Sequence, residues 1–594
     1  MESLRIFDIP YLQKEKFPKE DCIASKVNGY WLKISTREFI STAENLAYGF
    51  MDAGINKGDA IATICSNNRI EWNFVDLAIL MIGAVHVPIY PTISDGDYKF
   101  IFSDAEIKYV FVSDQKLYDR ISVIAKDIPT IKNVHTFNEI PGAPHWKELL
   151  SIGEKNPRPD DLEAIKRSIN PADLATMIYT SGTTGTPKGV MLSHSNLVSN
   201  IIASKIFVPV REDGRALSFL PLCHVYERML NYLYQYLGIS IYYAESIDAI
   251  GDNLKEVKPM VFVAVPRVLE KIYDKVIAAG NNLTGIKKKL FFWAVDLGLK
   301  FELDHANGWW YDFRLSIADK LVFSKWQAAI GGNIKVITSG SAPLQPRLQR
   351  IFWAAGIPIL EGYGLTETSP VISVNRLGVG NTKFGTVGPL IPDVQVKIAD
   401  DGEILCKGPN VMMGYYKRPD LTMEAIDKDG WFHTGDIGIF KDKFLMITDR
   451  KKELLKTSGG KYVAPQPIEN KMKESPYISQ IMVVGDGQKF TGALIVPNFH
   501  NLIDWCKSNN IEIGDPSLRA TKQSLIQNTK VHGLFDTERD RLNADFGHVE
   551  QIKRYELLPD EWTTDGGELT PTLKLKRKFI LEKYKVWVEK IYVE

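Results

Sequence analysis

The stretch Tyr179-Thr180-Ser181-Gly182-Thr183-Thr184-Gly185-Thr186-Pro187-Lys188-Gly189 crowds hydroxyls, glycines and one lysine into a single loop. Ala175-Thr176-Met177-Ile178-Tyr179 leads into it as a strand-like apolar run. Hydroxyl groups, bare glycine amides and an ammonium are what a polyphosphate needs around it. The spacing is not that of a Walker A loop, because Gly182 and Gly185 do not stand in the required relation to Lys188. By composition alone, an ordinary Ser/Thr/Gly surface loop is the competing reading.

Upstream of the loop, helix and strand signals alternate. Ser35-Thr36-Arg37-Glu38 has the form of a capping box. Phe39, Ala43, Leu46, Ala47, Phe50 and Met51 then recur at helical spacing, and Gly54 is placed to end that helix. Ala60 to Cys65 reads as a strand, Glu71 to Met81 as a helix and Val85 to Ile89 as a strand. Tyr98 to Phe102 reads as helical and Tyr109 to Val112 as extended. This alternation predicts an α/β sheet with many parallel strands. Downstream, Val261 to Val265 and Ile334 to Ile337 are strand candidates, with a mostly helical pattern over 268–330. After Gly435-Asp436 the texture changes. Phe444 to Thr448 is strand-like and runs into the charged Asp449-Arg450-Lys451-Lys452-Glu453. Ile481 to Val484 and Ala493 to Val496 are further strands. The expected division is a large α/β domain over 1–449 and a smaller α+β domain over 450–594.

The chain has 594 residues, 45% of them hydrophobic and 24% charged, which fits a folded globular protein with several cores. Lys plus Arg and Asp plus Glu each number 72, and this balance argues against a general nucleic-acid binder. The 5 cysteines are dispersed and lack CxxC spacing, so neither a disulfide framework nor a structural zinc site is expected. The start, Met1-Glu2-Ser3-Leu4-Arg5, carries no apolar segment of a secretory signal. The longest apolar stretch of the first domain, Leu77 to Val85, is far short of the ~20 residues a spanning helix needs. A cytoplasmic protein, with peripheral membrane contact as an open alternative, is the expectation. Nothing in the sequence sets an oligomeric state.

The loop at 179–189 resembles the signature of the adenylate-forming superfamily, and further motifs follow in that family's order. Gly340-Ser341-Ala342-Pro343-Leu344 resembles its adenine-side loop. Glu361-Gly362-Tyr363-Gly364-Leu365-Thr366-Glu367 resembles its Tyr-Gly-x-Thr-Glu motif, and Trp431 to Asp436 its Thr-Gly-Asp motif. Asp449-Arg450-Lys451-Lys452 resembles its hinge, and Thr570-Pro571-Thr572-Leu573-Lys574 the loop with the catalytic lysine. Pro221-Leu222-Cys223-His224-Val225-Tyr226-Glu227-Arg228 is similar to a motif of the long-chain fatty acid–CoA ligases within that superfamily, as is Glu568 to Lys578.

The resemblance implies a fold of stacked sheets and helices with a smaller mobile C-terminal domain. It implies ATP, Mg²⁺ and CoA as the small molecules handled beside a fatty acid. A carrier protein's phosphopantetheine is an alternative acceptor, and a non-catalytic acyl-binding homologue an alternative of another class. Thr180, Ser181, Gly182, Thr183, Thr184 and Lys188 would cradle the β- and γ-phosphates. Gly340, Ser341, Ala342, Glu361, Gly362, Tyr363 and Gly364 would surround adenine, with Tyr363 stacked on the base. Thr366 would donate to the α-phosphate and Glu367 would hold Mg²⁺. Asp436 would accept from the ribose hydroxyls, and Arg450 would contact ribose or phosphate. Lys574 would stabilise charge between the carboxylate and the α-phosphate, with Lys576 as a rival, because Leu573 stands where the commoner form has Gly. Lys452 and Ser458-Gly459-Gly460 would serve hinge and thiol channel. His224 would lie beside the acyl carboxylate or the thiol, or be a structural histidine. Glu227 and Arg228 would pair with each other or elsewhere. Lys287-Lys288-Lys289 near Trp293, Trp309-Trp310 and Trp326 suits either a membrane contact or a packed helical insertion.

Overall fold

The computed structural model describes residues 4–181, 186–246, 248–515, 518–564, 566–570 and 573–593. Two large sheets dominate it. In the first, the strands run in the spatial order Gly414–Tyr415, Pro187–Ser193, Leu174–Ser181, Val85–Ile89, Ala60–Ile64, Tyr109–Val112 and Asn133–Thr136. In the second the order is Val371–Val374, Ile359–Gly364, Val336–Ser339, Val261–Ala264, Arg215–Ser218, Ser240–Tyr243, Ile23–Val27 and Tyr30–Ile34. The inner strands of both are parallel.

Side-chain alternation explains why the sheets stack. Ile61, Tyr109, Phe111 and Ile178 point to one side of the first sheet, whereas Ala62, Val110, Val112 and Met177 point to the other. In the second sheet Val261 and Val263 face inward and Phe262 and Ala264 outward. Both faces are therefore buried, as parallel sheets require. Between the sheets lie the helices Thr36–Asp52, Ile70–Met81, His194–Ser204 and Val225–Tyr236. The predicted capping box opens the first of them: Glu38 N donates to Ser35 Oγ at 3.2 Å and Ser35 N to Glu38 Oε2 at 2.8 Å. Gly54, at φ +73°, follows its C-terminus.

A buried polar network ties this middle layer to the first sheet. Arg228 donates to Asp76 Oδ1, to Thr176 Oγ1 at 2.7 Å and to Tyr232 OH at 2.8 Å. His86 meets Asp76 through Nδ1 and Thr63 through Nε2, and Tyr232 OH donates to the second oxygen of Asp76. Burial opposes ionisation of Asp76, but the Arg228 guanidinium and these hydrogen bonds outweigh it and hold the carboxyl below its ordinary range. Burial, with the Arg228 charge beside it, pushes His86 down to about 4, so it is neutral. Arg228 thus pairs with Asp76 rather than with its neighbour Glu227.

A four-stranded sheet, Gln395–Ile398, Glu403–Lys407, Phe432–Lys441 and Phe444–Arg450, completes the large part. The smaller part is built on the strands Ile478–Val484, Gly492–Pro497 and Arg554–Leu557, the short hairpin Leu455–Lys456/Tyr462–Val463, and surrounding helices. Two boundaries differ from expectation. The strand expected at Ile334 begins at Val336, because its register is set by Val336 facing Val261. The strand at Phe444 runs on through Asp449-Arg450, because Arg450 pairs across the ladder with Asp436. All five cysteines are unpaired, and among the described residues no helix is long and apolar enough to cross a membrane.

Removing one partner of a buried ion pair leaves the other charge stranded. Asp76→Asn or Arg228→Met should each destabilise the large part by about 3–5 kcal/mol. The double variant Asp76→Leu/Arg228→Met should recover most of that loss. Denaturant midpoints followed by tryptophan fluorescence check this, and an additive double variant would contradict it.

Candidate functional site

The hairpin Leu174–Ser181/Pro187–Ser193 places Thr180 opposite Lys188 at the mouth of the loop. Gly189 packs closely under the Tyr179 ring, which a Cβ there would meet at 3.0 Å and push back by a few tenths of an ångström. Gly182, Thr183, Thr184 and the side chain of Ser181 lie outside the described residues. The Lys188 ammonium stands 5.1 Å from the Tyr415 ring centroid. Tyr415 is brought there by the edge strand Gly414–Tyr415, which pairs with Met191 and Val190. Its hydroxyl donates to Glu367 Oε1 at 3.0 Å. Tyr415 therefore bridges two predicted site residues, yet nothing in Gly414-Tyr415-Tyr416 distinguishes it from an edge strand.

The second sheet supplies the opposite wall. Val336–Ser339 leads into Gly340-Ser341-Ala342, and Ser341 turns the chain at φ +69°. Beside it, Ile359–Gly364 carries Glu361, Gly362 and Tyr363. Glu361 is buried, and its Oε1 accepts from Leu344 N at 2.9 Å, so it braces the Gly340–Leu344 loop from beneath. Burial pushes its carboxyl up to about 8. Gly364 is dictated by close approach, because a Cβ would sit 1.8 Å from Pro370 O. The short turn Thr366–Thr368 then presents Thr366 and Glu367, and Met412 N fixes it by donating to Glu367 O at 2.8 Å.

Asp436 is the meeting point. Tyr363 OH donates to its Oδ2 at 2.7 Å and Arg450 Nε to its Oδ1 at 2.9 Å. Arg450 and Asp436 face each other across one antiparallel ladder, so their pairing follows from register. Glu403 orients the turn before Asp436 by accepting from Gly435 N at 2.9 Å and from Lys451 Nζ at 2.9 Å. Gly435 stands at φ +72°. The carboxylate keeps lone pairs beyond those two contacts.

Lys574 reaches the same place from the smaller part. A tight turn presents it: Leu573 N and Lys574 N donate to Thr570 O and Oγ1 at 2.8 and 3.0 Å, and Thr570 N donates to Lys574 O at 2.8 Å. Leu573, where the commoner motif has glycine, adopts φ +62°, a left-handed conformation that costs a side-chain-bearing residue about 1–2 kcal/mol. Arg577 anchors the next turn with a two-pronged grip on Glu469, 2.8 Å for each nitrogen, and a 2.9 Å contact to Glu453. Lys574 keeps solvent access but sits in a cleft crowded with protein. Loss of bulk water and the Arg450 guanidinium push its ammonium down to about 8, against the opposite pull of Asp436, Glu453 and Glu367.

His224 caps the helix Val225–Tyr236, accepting from Tyr226 N through Nδ1 at 3.2 Å, so its proton is on Nε2. Burial and the charge of Lys574 push it down to about 4. One turn along, Glu227 is buried and pushed up to about 8 by burial, and its Oε2 has no hydrogen-bond partner among the described residues. The hairpin tip Ser458-Gly459-Gly460 stays within the smaller part: Ser458 N donates to Gln488 O at 2.9 Å and Gly460 N to Thr457 O at 2.8 Å. Lys452 lies between Arg450 and that hairpin.

Comparison with known proteins places the chain in a family. The family model described as AMP-binding enzyme matches residues 12–416, and that of the AMP-binding enzyme C-terminal domain matches 452–532. The chain is 35% identical over 573 residues to the long-chain-fatty-acid–CoA ligase FadD15 of Mycobacterium bovis, covering 95% of this chain and 93% of that one. It is 31% identical to the peroxisomal long chain acyl-CoA synthetase 7 of Arabidopsis thaliana, covering 94% of this chain and 81% of that one. Among solved structures, the adenylation domain of a carboxylate reductase from Mycobacterium chelonae shares the fold with a TM-score of 0.75 at 21% identity, covering 100% of this chain and 92% of that one.

The two buried acids make stability depend on pH. Each is raised from an ordinary 4.5 to about 8, so folding holds a proton that the unfolded chain releases. Their contribution is fully present below about 4.5 and is lost as pH rises through about 8. Glu361→Gln and Glu227→Gln should each flatten the fall in melting temperature across that window. Unchanged pH profiles in both variants would contradict the protonated state.

Proposed function

This chain belongs to the AMP-binding enzyme family, and from that we propose that it is a long-chain fatty acid–CoA ligase, converting a long-chain acid, ATP and CoA into acyl-CoA, AMP and pyrophosphate. The observation that carries the reading is the convergence of Lys188, Glu367, the Asp436–Arg450 pair and Lys574 on one cleft from segments far apart in sequence. The working division is 1–449 for nucleotide and acyl binding and 450–594 for the part that carries Lys574.

A carboxylate is a poor electrophile because its charge is delocalised and its leaving group would be oxide. In the first half-reaction a carboxylate oxygen attacks the α-phosphorus of ATP, the bond to the β-phosphate oxygen breaks, and pyrophosphate leaves. Positioning and charge neutralisation are what the protein contributes. In our reading Thr180, Ser181, Gly182, Thr183, Thr184 and Lys188 hold the β- and γ-phosphates. Gly340, Ser341, Ala342, Gly362, Tyr363 and Gly364 form the base pocket, with Glu361 as its brace. Asp436 accepts from the ribose, Arg450 fixes that carboxylate, and Thr366 donates to the α-phosphate. Lys574 offsets the charge that gathers between the acid and the α-phosphate. Glu367 suits Mg²⁺: it is partly exposed and held by Tyr415 through one oxygen, and Mg²⁺ asks for one or two carboxylates plus phosphates rather than a protein cage. The ion would neutralise phosphate charge. In the second half-reaction the CoA sulfur attacks the acyl carbonyl and AMP leaves. Lys452 and the Ser458-Gly459-Gly460 hairpin serve that step, with His224 beside the carbonyl. Peripheral membrane contact belongs to the same reading, since long-chain acids partition into lipid.

Incubation with Mg-ATP, CoA and fatty acids of graded length, read by mass spectrometry, should yield acyl-CoA peaking at long chains. Acyl-AMP without acyl-CoA would overturn the acceptor. Lys574→Ala should abolish pyrophosphate release yet largely spare thioester formation from supplied acyl-AMP; equal loss of both would contradict its role. Lys574 is charged below its pKa, so single-turnover adenylate formation should fall as pH rises through about 8, well below the ordinary lysine value of 10.5. Lys574→Arg should remove that fall whatever its absolute rate.

A further inference from the structure

The cleft sets a cation and an anion on one ring without letting them pair. In the ligase reading Lys188 receives the terminal phosphates and Glu367 the metal, and among the described residues neither forms an ion pair. The Tyr415 side chain engages both. The Lys188 ammonium stands over the face of its ring, 5.1 Å from the centroid, while its hydroxyl at the rim donates to Glu367 Oε1 at 3.0 Å. A ring face attracts an ammonium through its quadrupole and leaves N–H donors free for an anion. A phenol hydroxyl takes one lone pair of a carboxylate and leaves the others. Both charges are therefore held with their ligating capacity kept.

The main chain around Tyr415 fixes where that ring sits. Met413 N donates to Met191 O at 3.0 Å and Tyr416 N to Gly189 O at 2.8 Å, which ties the segment to the strand that carries Lys188. Met412 N donates to Glu367 O at 2.8 Å, which ties it to the turn that carries Glu367. Tyr415 N donates to Thr422 Oγ1 at 2.9 Å, and Gly414 before it takes φ +139°, a conformation that glycine supplies. Tyr415 is itself buried. A side chain so constrained does not follow either charge when one moves toward the other.

We propose that Tyr415 is a positioning residue that keeps Lys188 and Glu367 from pairing with each other, so that the empty site is already laid out for a magnesium polyphosphate. The inference deepens the ligase reading and rests on it for the two ligand roles. An ammonium and a carboxylate held on one ring attract each other strongly in a cleft of reduced dielectric. Once paired, they would have to be separated before phosphate could reach one and magnesium the other, and that separation would weaken binding. Held apart by a rigid ring, they need no such rearrangement.

The test is isothermal titration of the full chain with the non-hydrolysable α,β-methylene analogue of ATP in saturating Mg²⁺. Tyr415→Phe keeps the ring and removes only the hydroxyl, which frees Glu367 to turn to Lys188. Binding should weaken about five- to tenfold. Tyr415→Leu, which also removes the ring face, should weaken it further. Glu367→Gln abolishes the charge that Lys188 could pair with, and in that background Tyr415→Phe should cost less than about twofold. A tyrosine that merely packs would cost the same in both backgrounds. That result, or Tyr415→Phe binding as tightly as the parent protein, would overturn the proposal. Because the readout is binding, a chain that makes no acyl-CoA would fail the ligase reading while the double-mutant cycle still decided the role of Tyr415. A parent protein that does not bind the magnesium nucleotide would overturn both.

Discussion

The Asp436 carboxylate is held between Tyr363 of the second sheet and Arg450 at the end of the third. Removing it would leave a partly buried phenol and a half-buried guanidinium without their acceptor, and would cut one link between the two sheets. Arg450 is also the last residue of its strand, so the chain enters the smaller part from a position already fixed by the site. Burial lowers the Lys574 ammonium's pKa, Arg450 lowers it further and Asp436 opposes both. One ion pair therefore ties together the second sheet, the end of the third and the charge environment of Lys574. Its strength is modest in water, but Asp436 is buried, and a charge-assisted bond there costs more to leave unmade than it gains when formed.

Around this pair, the large part is built to stay rigid and the Lys574 loop is built to a tolerance. The Arg228–Asp76–His86 network locks the middle helices to the first sheet by groups that are each satisfied several times over. In contrast, Leu573 adopts a conformation that disfavours any side chain. That strain is offset locally by the hydrogen bonds of the Thr570–Lys574 turn and by the Arg577 grip on Glu469 and Glu453.

The α/β alternation was legible because periodicity is a local property. Val85–Ile89 and Tyr109–Val112 form where their patterns place them, and the Ser35/Glu38 capping box opens its helix. The Ile334 boundary was misplaced because a short apolar run does not encode its own register, which the partner strand sets. Tyr415 was illegible: its position between Lys188 and Glu367 depends on an edge-strand pairing 225 positions away from Val190. Arg228's partner was likewise hidden, since Asp76 lies 152 residues upstream. Glu361 sits inside a nucleotide motif yet acts beneath it; a buried carboxyl and an exposed one have the same letter, and only packing separates them.

The contacts that seat the smaller part on the large one explain how a precise arrangement can also be released. Arg347 of the large part donates to the carbonyls of Lys473 and Glu474 at 3.0 Å each, capping the C-terminal end of the helix Pro465–Met472. Arg267 reaches Ser479 Oγ at 3.0 Å and its carbonyl at 3.3 Å. These acceptors are backbone or hydroxyl oxygens at a helix end and a strand start, which water satisfies when the arginines withdraw. Each such bond adds only about 0.5–1.5 kcal/mol net. An apolar seam of the same size would cost far more to expose. Arginine on carbonyl gives direction without depth: it orients the smaller part on the large one through bonds that are each cheap to exchange for water.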